Sequence, residues 1–122
     1  MSKTRAVLYL GSSLKDLRKL PSRVKETFMH GLYLASLGED PIDSKSLKGF
    51  GGRSVLELRE DHKGDTYRAV YTVRFKEAIY VLHVFKKKST QGISTPKKEM
   101  DLIEKRLKDA NEHYSSHFQS KK

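Results

Sequence analysis

The 122-residue chain contains no cysteine, which removes disulfides and thiolate zinc sites from consideration. It also lacks a long apolar run. The stretch Ala6, Val7, Leu8, Tyr9, Leu10 is the most hydrophobic segment near the N-terminus. A membrane-spanning helix needs about 20 residues, so this stretch reads neither as a span nor as a signal peptide. A cytoplasmic location with no membrane partner is therefore expected. Neither a Walker nor a Rossmann glycine loop is present. Carboxylate pairs near histidines, the mark of a two-metal nuclease, are also missing. His62 stands between Asp61 and Asp65, but all three fall in a polar turn. Low-complexity tracts and internal repeats are absent. No metal or cofactor is expected.

Charge of one sign is present in excess. Lysine and arginine number 25 against 15 acidic residues, a formal net charge of +10. Such an excess favours solubility and attraction to polyanions. The densest part is Lys86, Lys87, Lys88, Lys97 and Lys98, with no acidic residue between Glu77 and Glu99. The first turn of a helix is an unfavourable place for cations, because the helix dipole prefers anions there. A bound phosphate would offset that cost, so these lysines are candidate nucleic-acid-binding residues.

The length suits one domain, residues 1–122. Residues 5–10 read as a short strand ended by Gly11. Ser13 is placed to cap a short helix, with Asp16 three residues on, and Pro21 ends it. Val24, Phe28, Leu32 and Ala35 then form a helical stripe over 22–37, widened by Met29, Tyr33 and Leu37. Residues 38–53 read as a connection anchored by Leu47 and Phe50. Three strands follow, at 54–60, 66–75 and 78–86, with a turn over Asp61–Asp65. Thr95 and Pro96 open a last helix, along which Met100, Ile103, Leu107 and Ala110 recur at helical spacing. Residues 111–122 read as a frayed tail.

The order β-α-α-β-β-β-α predicts an α+β fold, a small antiparallel sheet packed on an N-terminal helical hairpin with a C-terminal helix. One sheet face is then expected on the helices and the other in water. Alternation puts Glu57 and Arg59 on one face of their strand, and Arg68, Val70, Thr72 and Arg74 on one face of the next. In the third strand His83, Phe85 and Lys87 share a face, opposite Leu82, Val84 and Lys86. Arginines and lysines on an open face suit metal-free RNA cleavage, in which the ribose 2′-hydroxyl attacks its own phosphate. A base removes the proton and cations stabilise the added charge. DNA lacks that hydroxyl.

The segments Val55-Leu56-Glu57-Leu58-Arg59, Tyr67-Arg68-Ala69-Val70-Tyr71 and Leu82-His83-Val84-Phe85-Lys86-Lys87-Lys88, followed by Thr95-Pro96, resemble toxins of the RelE/ParE superfamily, in particular its phage-derived HigB-like branch. The resemblance spans about residues 5–110 and implies a RelE-like fold. It implies the toxin of a type II toxin–antitoxin system, a ribosome-dependent mRNA endonuclease that needs no metal. Its partners would be mRNA on the ribosome and a cognate antitoxin, of helix-turn-helix type. By motif, Arg59 and Arg68 correspond to residues holding the scissile phosphate. Lys86–Lys88 correspond to a basic strand end, and His83 and Lys87 join the candidate catalytic set. Two other readings stand beside this one: a non-enzymatic nucleic-acid-binding domain, and a ParE-like inhibitor of DNA gyrase.

Overall fold

Eight elements build the chain in the computed structural model, which describes residues 4–42, 44–51, 54–88 and 95–118. They are β1 (Ala6–Tyr9), α1 (Ser13–Arg18), α2 (Ser22–Ser36), β2 (Ser44–Ser46), β3 (Val55–His62), β4 (Asp65–Thr72), β5 (Ala78–Lys88) and α3 (Lys97–Phe118). The five strands form one sheet in the order β1-β5-β4-β3-β2.

The long strands are the three legible in the sequence, and they pair antiparallel in chain order. Both β3 and β4 run further towards their turn than the residue pattern suggests. Lys63 and Gly64 alone join them, with φ of 50° and 87°. Positive φ at both central residues is the tight hairpin geometry that matches strand twist, and Gly64 adopts it without steric cost. Two sheet features depart from expectation. A short strand, β2, forms inside the 38–53 connection and pairs antiparallel with β3, Lys45 lying opposite Glu57. The edge strand β1 is parallel to β5, Ala6 opposite Ala78 through Tyr9 opposite Val81, so the sheet is mixed. Parallel pairing requires a crossover, and here α1 to β4 supply it.

Leu17 of α1 and Val24, Phe28, Leu32 and Ala35 of α2 bury against Leu56, Leu58, Ala69, Tyr71, Ile79 and Val81. This is the hairpin layer expected from the helical stripe. Met29 and Tyr33, which widened the stripe in sequence, are instead exposed. A helix lying on a sheet buries only about a third of its circumference, and the Phe28–Leu32 line takes that share.

The second sheet face is not left to water. Ile103, Ala110 and Tyr114 of α3 pack on Val55, Val70, Phe75, Tyr80 and Leu82. The helix continues to Phe118, so its final turns are not the frayed tail that the fading pattern after Ala110 suggested. Tyr114 lies 4.6 Å from Phe75 between ring centres and 4.9 Å from Phe118. The Glu77 backbone amide donates to its phenol oxygen at 3.2 Å. Residues 119–122 of the expected tail lie outside the described residues. The first helical residue of α3 is Lys97, and Thr95 is engaged elsewhere, as shown below.

A bulge corrects the expected facing of β5. Val70 pairs with His83 but Tyr71 with Val81, so Leu82 is the extra residue. Leu82 therefore joins the α3 side with His83 rather than the Val84 side. A bulge bends the strand and shifts its alternation by one, which no periodicity count on a single strand reveals. The Arg106 guanidinium of α3 donates to the Leu82 carbonyl at 3.0 Å, and the Ser13 hydroxyl to the Val81 carbonyl at 3.2 Å. These bonds satisfy β5 where β1 has ended. Ser13 thus bonds the sheet instead of capping α1, and Ser12 holds Asp16 at 2.8 Å.

Candidate nucleic-acid interface

Because α3 lies along the sheet, it covers the part of the second face nearest Val70 and Tyr80 and leaves the Arg59–Arg68 end open. Three cross-strand rows are set by register. Lys45, Glu57, Val70 and His83 form the first. Arg59, Arg68 and Phe85 form the second, and Asp61, Thr66 and Lys87 the third. Residues directly opposite on neighbouring strands bring their side chains within about 5.5 Å at Cβ. Arg59 and Arg68, two cations, are such a pair.

Like charges placed opposite each other repel, and the structure offsets this with Glu57. The Arg68 side chain is almost fully buried. One of its terminal nitrogens donates to Glu57 Oε1 at 3.0 Å and to Thr95 Oγ1 at 3.1 Å. Glu57 is buried as well. Thr95, expected as a helix cap, instead ties the start of α3 to the middle of the sheet. Around this pair lies an open cleft of about 430 Å³, lined by Lys45, Lys48, Glu57, Arg59, Arg68 and Thr95 among others. Four cations and one carboxylate line it, and that carboxylate is already bonded to Arg68. The net potential of the cleft is positive.

Lys87 belongs to the same face but does not itself line the cleft, and it is buried, with 5% of its surface exposed. Burial pushes its ammonium below the ordinary lysine value of 10.5, and the adjacent Arg68 and Arg59 push it further; Glu57 opposes the shift. Desolvation and like charge both disfavour the protonated form. A lysine so placed is closer to a usable proton acceptor than a surface lysine is.

The remaining candidates separate. His83 is buried; its Nε2 bonds Glu99 Oε1 at 2.6 Å, and its ring stacks on Phe85 at 4.6 Å. Its Nδ1 is buried with no hydrogen-bond partner among the described residues. His83 joins β5 to the first turn of α3 and does not line the cleft. Lys86 points to the opposite sheet face, 3.6 Å from Asp65. Lys88 ends β5 opposite Asp65, and its side chain lies outside the described residues. Lys97 is exposed and paired with Asp101 at 3.0 Å. Lys98 is exposed on the same turn, and neither of these two lines the cleft. The structure therefore brings Arg59, Arg68 and Lys87 together and disperses the other cations of the sequence cluster.

Lys45, Lys48, Thr95 and Glu99 were missed. Lys45 and Lys48 sit in a connection whose strand pairing is non-local. Glu99 carries the one legible signal, being the first acid after the long basic stretch and set in a first helical turn. Among the described residues no group of three or more metal-ligating side chains is present, and no helix is long and apolar enough to cross a membrane.

Residues 15–108 match the family described as phage derived protein Gp49-like (DUF891), and the chain belongs to that family. No curated protein matches it. Among solved structures it is similar to a chain of the toxin–antitoxin complex RelBE2 from Mycobacterium tuberculosis. The two are 19% identical, with 70% of this chain and 100% of that chain covered and a TM-score of 0.49. At that distance the likeness carries no argument about activity.

Proposed function

We propose that the chain is the toxin of a type II toxin–antitoxin pair and cleaves mRNA on the ribosome by metal-free attack of the ribose 2′-hydroxyl. The observation that carries this reading is the meeting of Arg59, Arg68 and a buried, pKa-depressed Lys87 on one sheet face beside an open cationic cleft. The resemblance of the Glu57–Arg59, Tyr67–Arg68 and His83–Lys88 segments to HigB-like toxins of the RelE/ParE superfamily points the same way.

Each group has a distinct part in the proposed reaction. Both arginines line the cleft, but Arg59 is half-buried where Arg68 is almost fully buried, so the Arg59 guanidinium fork is the one offered to phosphate oxygens. Arg68, fixed by Glu57 and Thr95, supplies positive potential from behind. Lys87 in its neutral form takes the 2′-hydroxyl proton. The 2′-oxygen then bonds to phosphorus and the bond from phosphorus to the 5′-oxygen breaks. Water admitted by the open cleft protonates the departing oxygen. Charge built up on the phosphate is met by cations already in place, which is where most of the rate gain arises. The ribosome would supply the orientation of the message, and an antitoxin of helix-turn-helix type would neutralise the toxin in the cytoplasm.

The direct test uses programmed ribosomes carrying an mRNA that the protein cuts. A single 2′-deoxy substitution at the cut nucleotide should abolish cleavage there, and the unmodified product should end in a 2′,3′-cyclic phosphate. Cleavage of the deoxy-substituted message at the same bond would refute the mechanism.

A further inference from the structure

Strand β2 and the residues after it bring two further cations to the cleft. Lys45 lies opposite Glu57, on the cleft face of the sheet. The Leu47 amide donates to the Val55 carbonyl at 2.9 Å, which carries the ladder one residue past β2, and the Leu47 side chain is buried. Gly49, at a φ of 99°, then turns the chain against α3, so closely that a Cβ there would stand 3.2 Å from Met100 Cε. These two anchors hold Lys48 between them at the cleft rim.

Both lysines are exposed, and among the described residues neither side chain forms an ion pair or a hydrogen bond. Glu57, the acid nearest in register, already holds Arg68. Arg59 likewise has no ion pair among the described residues. The Arg59 fork suffices for the phosphate at the cut bond. Lys45 and Lys48 are therefore uncompensated charge beyond what that phosphate needs, and a second anion beside them would relieve their repulsion.

The rows of the sheet say where that anion lies. Lys87, Arg59 and Lys45 occupy the third, second and first rows, on β5, β3 and β2, so they cross the face on a diagonal with Arg59 in the middle. Lys45 is the diagonal neighbour of Arg59, about 7–8 Å away between Cα atoms. In displacement at phosphorus the attacking and leaving oxygens lie roughly in line. With the 2′-oxygen on the Lys87 side, the 5′-oxygen departs towards Lys45. The RNA chain beyond that oxygen carries its next phosphate in the same direction.

We propose that Lys45 and Lys48 bind the next phosphate on the 3′ side of the cut bond, so that the RNA strand leaves the cleft over β2. The proposal rests on the RNA-cleaving function proposed above and gives the bound strand a direction across the sheet.

The experiment compares wild type, Lys45→Ala/Lys48→Ala, and a charge-matched control, Lys15→Ala/Lys19→Ala, whose exposed lysines belong to α1 and its C-terminal end on the other sheet face. Binding of a short single-stranded RNA is followed by fluorescence anisotropy across a salt series. Relative to the control, the β2 variant should show a slope of log affinity against log salt smaller by about 0.7, which is about fivefold weaker binding at 0.1 M salt. The position is read on programmed ribosomes, with a message carrying one uncharged methylphosphonate linkage directly 3′ or directly 5′ of the cut linkage. The 3′ replacement should lower kcat/KM about fivefold for wild type and control, and should not lower it further for the β2 variant, which already lacks the contact. The 5′ replacement should affect all three proteins alike. A 3′ penalty as large in the β2 variant as in wild type, or a β2 variant that binds and titrates like the control, overturns the proposal. Failure of the parent reading looks different: if wild type cuts nothing, the 3′ assignment falls with the nuclease, while the lowered salt slope still identifies Lys45 and Lys48 as phosphate contacts.

Discussion

Replacing Glu57 by alanine is expected to cost the fold about 3–5 kcal/mol, because it leaves the Arg68 guanidinium buried without its counter-charge. The size follows from the geometry. The Arg68 side chain is 3% exposed and the pair is 3.0 Å apart, so water entering from the cleft replaces the carboxylate only in part. Thr95 accepts one bond but carries no charge. Arg59 and Lys87 lie close by, so an uncompensated Arg68 would also meet two like charges. For a domain of this length, 1 kcal/mol moves the unfolding midpoint by about 4 °C, which places Glu57→Ala roughly 12–20 °C below wild type. Arg68→Ala should fall by a similar amount, now with Glu57 stranded. The double variant should lose about 2 kcal/mol less than the sum of the two, since neither charge is left alone. Urea denaturation followed by circular dichroism measures all three. A Glu57→Ala protein within 0.5 kcal/mol of wild type, or single losses that simply add, would refute the reasoning.

Arg59→Ala removes a half-buried cation from a cationic cleft, so its stability should stay within about 0.5 kcal/mol of wild type while cleavage on ribosomes falls by at least about a hundredfold; steady-state rates beside a melting curve decide it. Lys87→Met should raise the unfolding midpoint at neutral pH and abolish cleavage. Because the folded state holds the Lys87 proton less tightly than the unfolded chain, wild-type stability should rise with pH towards 10.5 and the variant's advantage should vanish above it. A pH series of denaturation curves tests this. Truncation after Ala110 removes buried Tyr114 with its bond to the Glu77 amide, and should cost about 3–5 kcal/mol, readable as a lowered urea midpoint. Gly31→Ala places a methyl group 2.8 Å from Leu58, and that overpacking should outweigh the helix-propensity gain, for a net loss of about 1 kcal/mol by the same assay.

Local pattern made much of the fold legible. The Val24–Phe28–Leu32–Ala35 stripe, the alternation of Leu56 and Leu58 with Glu57 and Arg59, and the three consecutive strands stand in the structure, except that β4 ends at Thr72 and not at residue 75 as its pattern suggested. What was not legible is non-local. The parallel pairing of β1 with β5 joins residues some seventy positions apart, and nothing within Ala6–Tyr9 states its partner's direction. The extra residue at Leu82 depends on pairing with β4. Asn111–Phe118 looks polar because its apolar contacts are a few aromatic rings separated by histidine and serine, yet Tyr114 continues the Ile103–Ala110 line. The candidate site divides in the same way. Arg59 and Arg68 on one face followed from alternation. Chain proximity, by contrast, grouped Lys86, Lys97 and Lys98 with Lys87, and a strand that alternates faces and an exposed first helical turn scatter them. Glu57 as the buried partner of Arg68 was within reach, since both lie on the predicted open side, but its burial came only with Thr95 and α3 folded over it.

The central claim is that the Arg59 side of the sheet cuts RNA. It is tested most directly by inducing the chain in cells and mapping mRNA 5′ ends, with Arg59→Ala expressed to the same level. The account predicts new 5′ ends within translated codons that disappear in the variant while the protein remains folded. Growth arrest with no new ends, or an identical set of ends from Arg59→Ala, would contradict it.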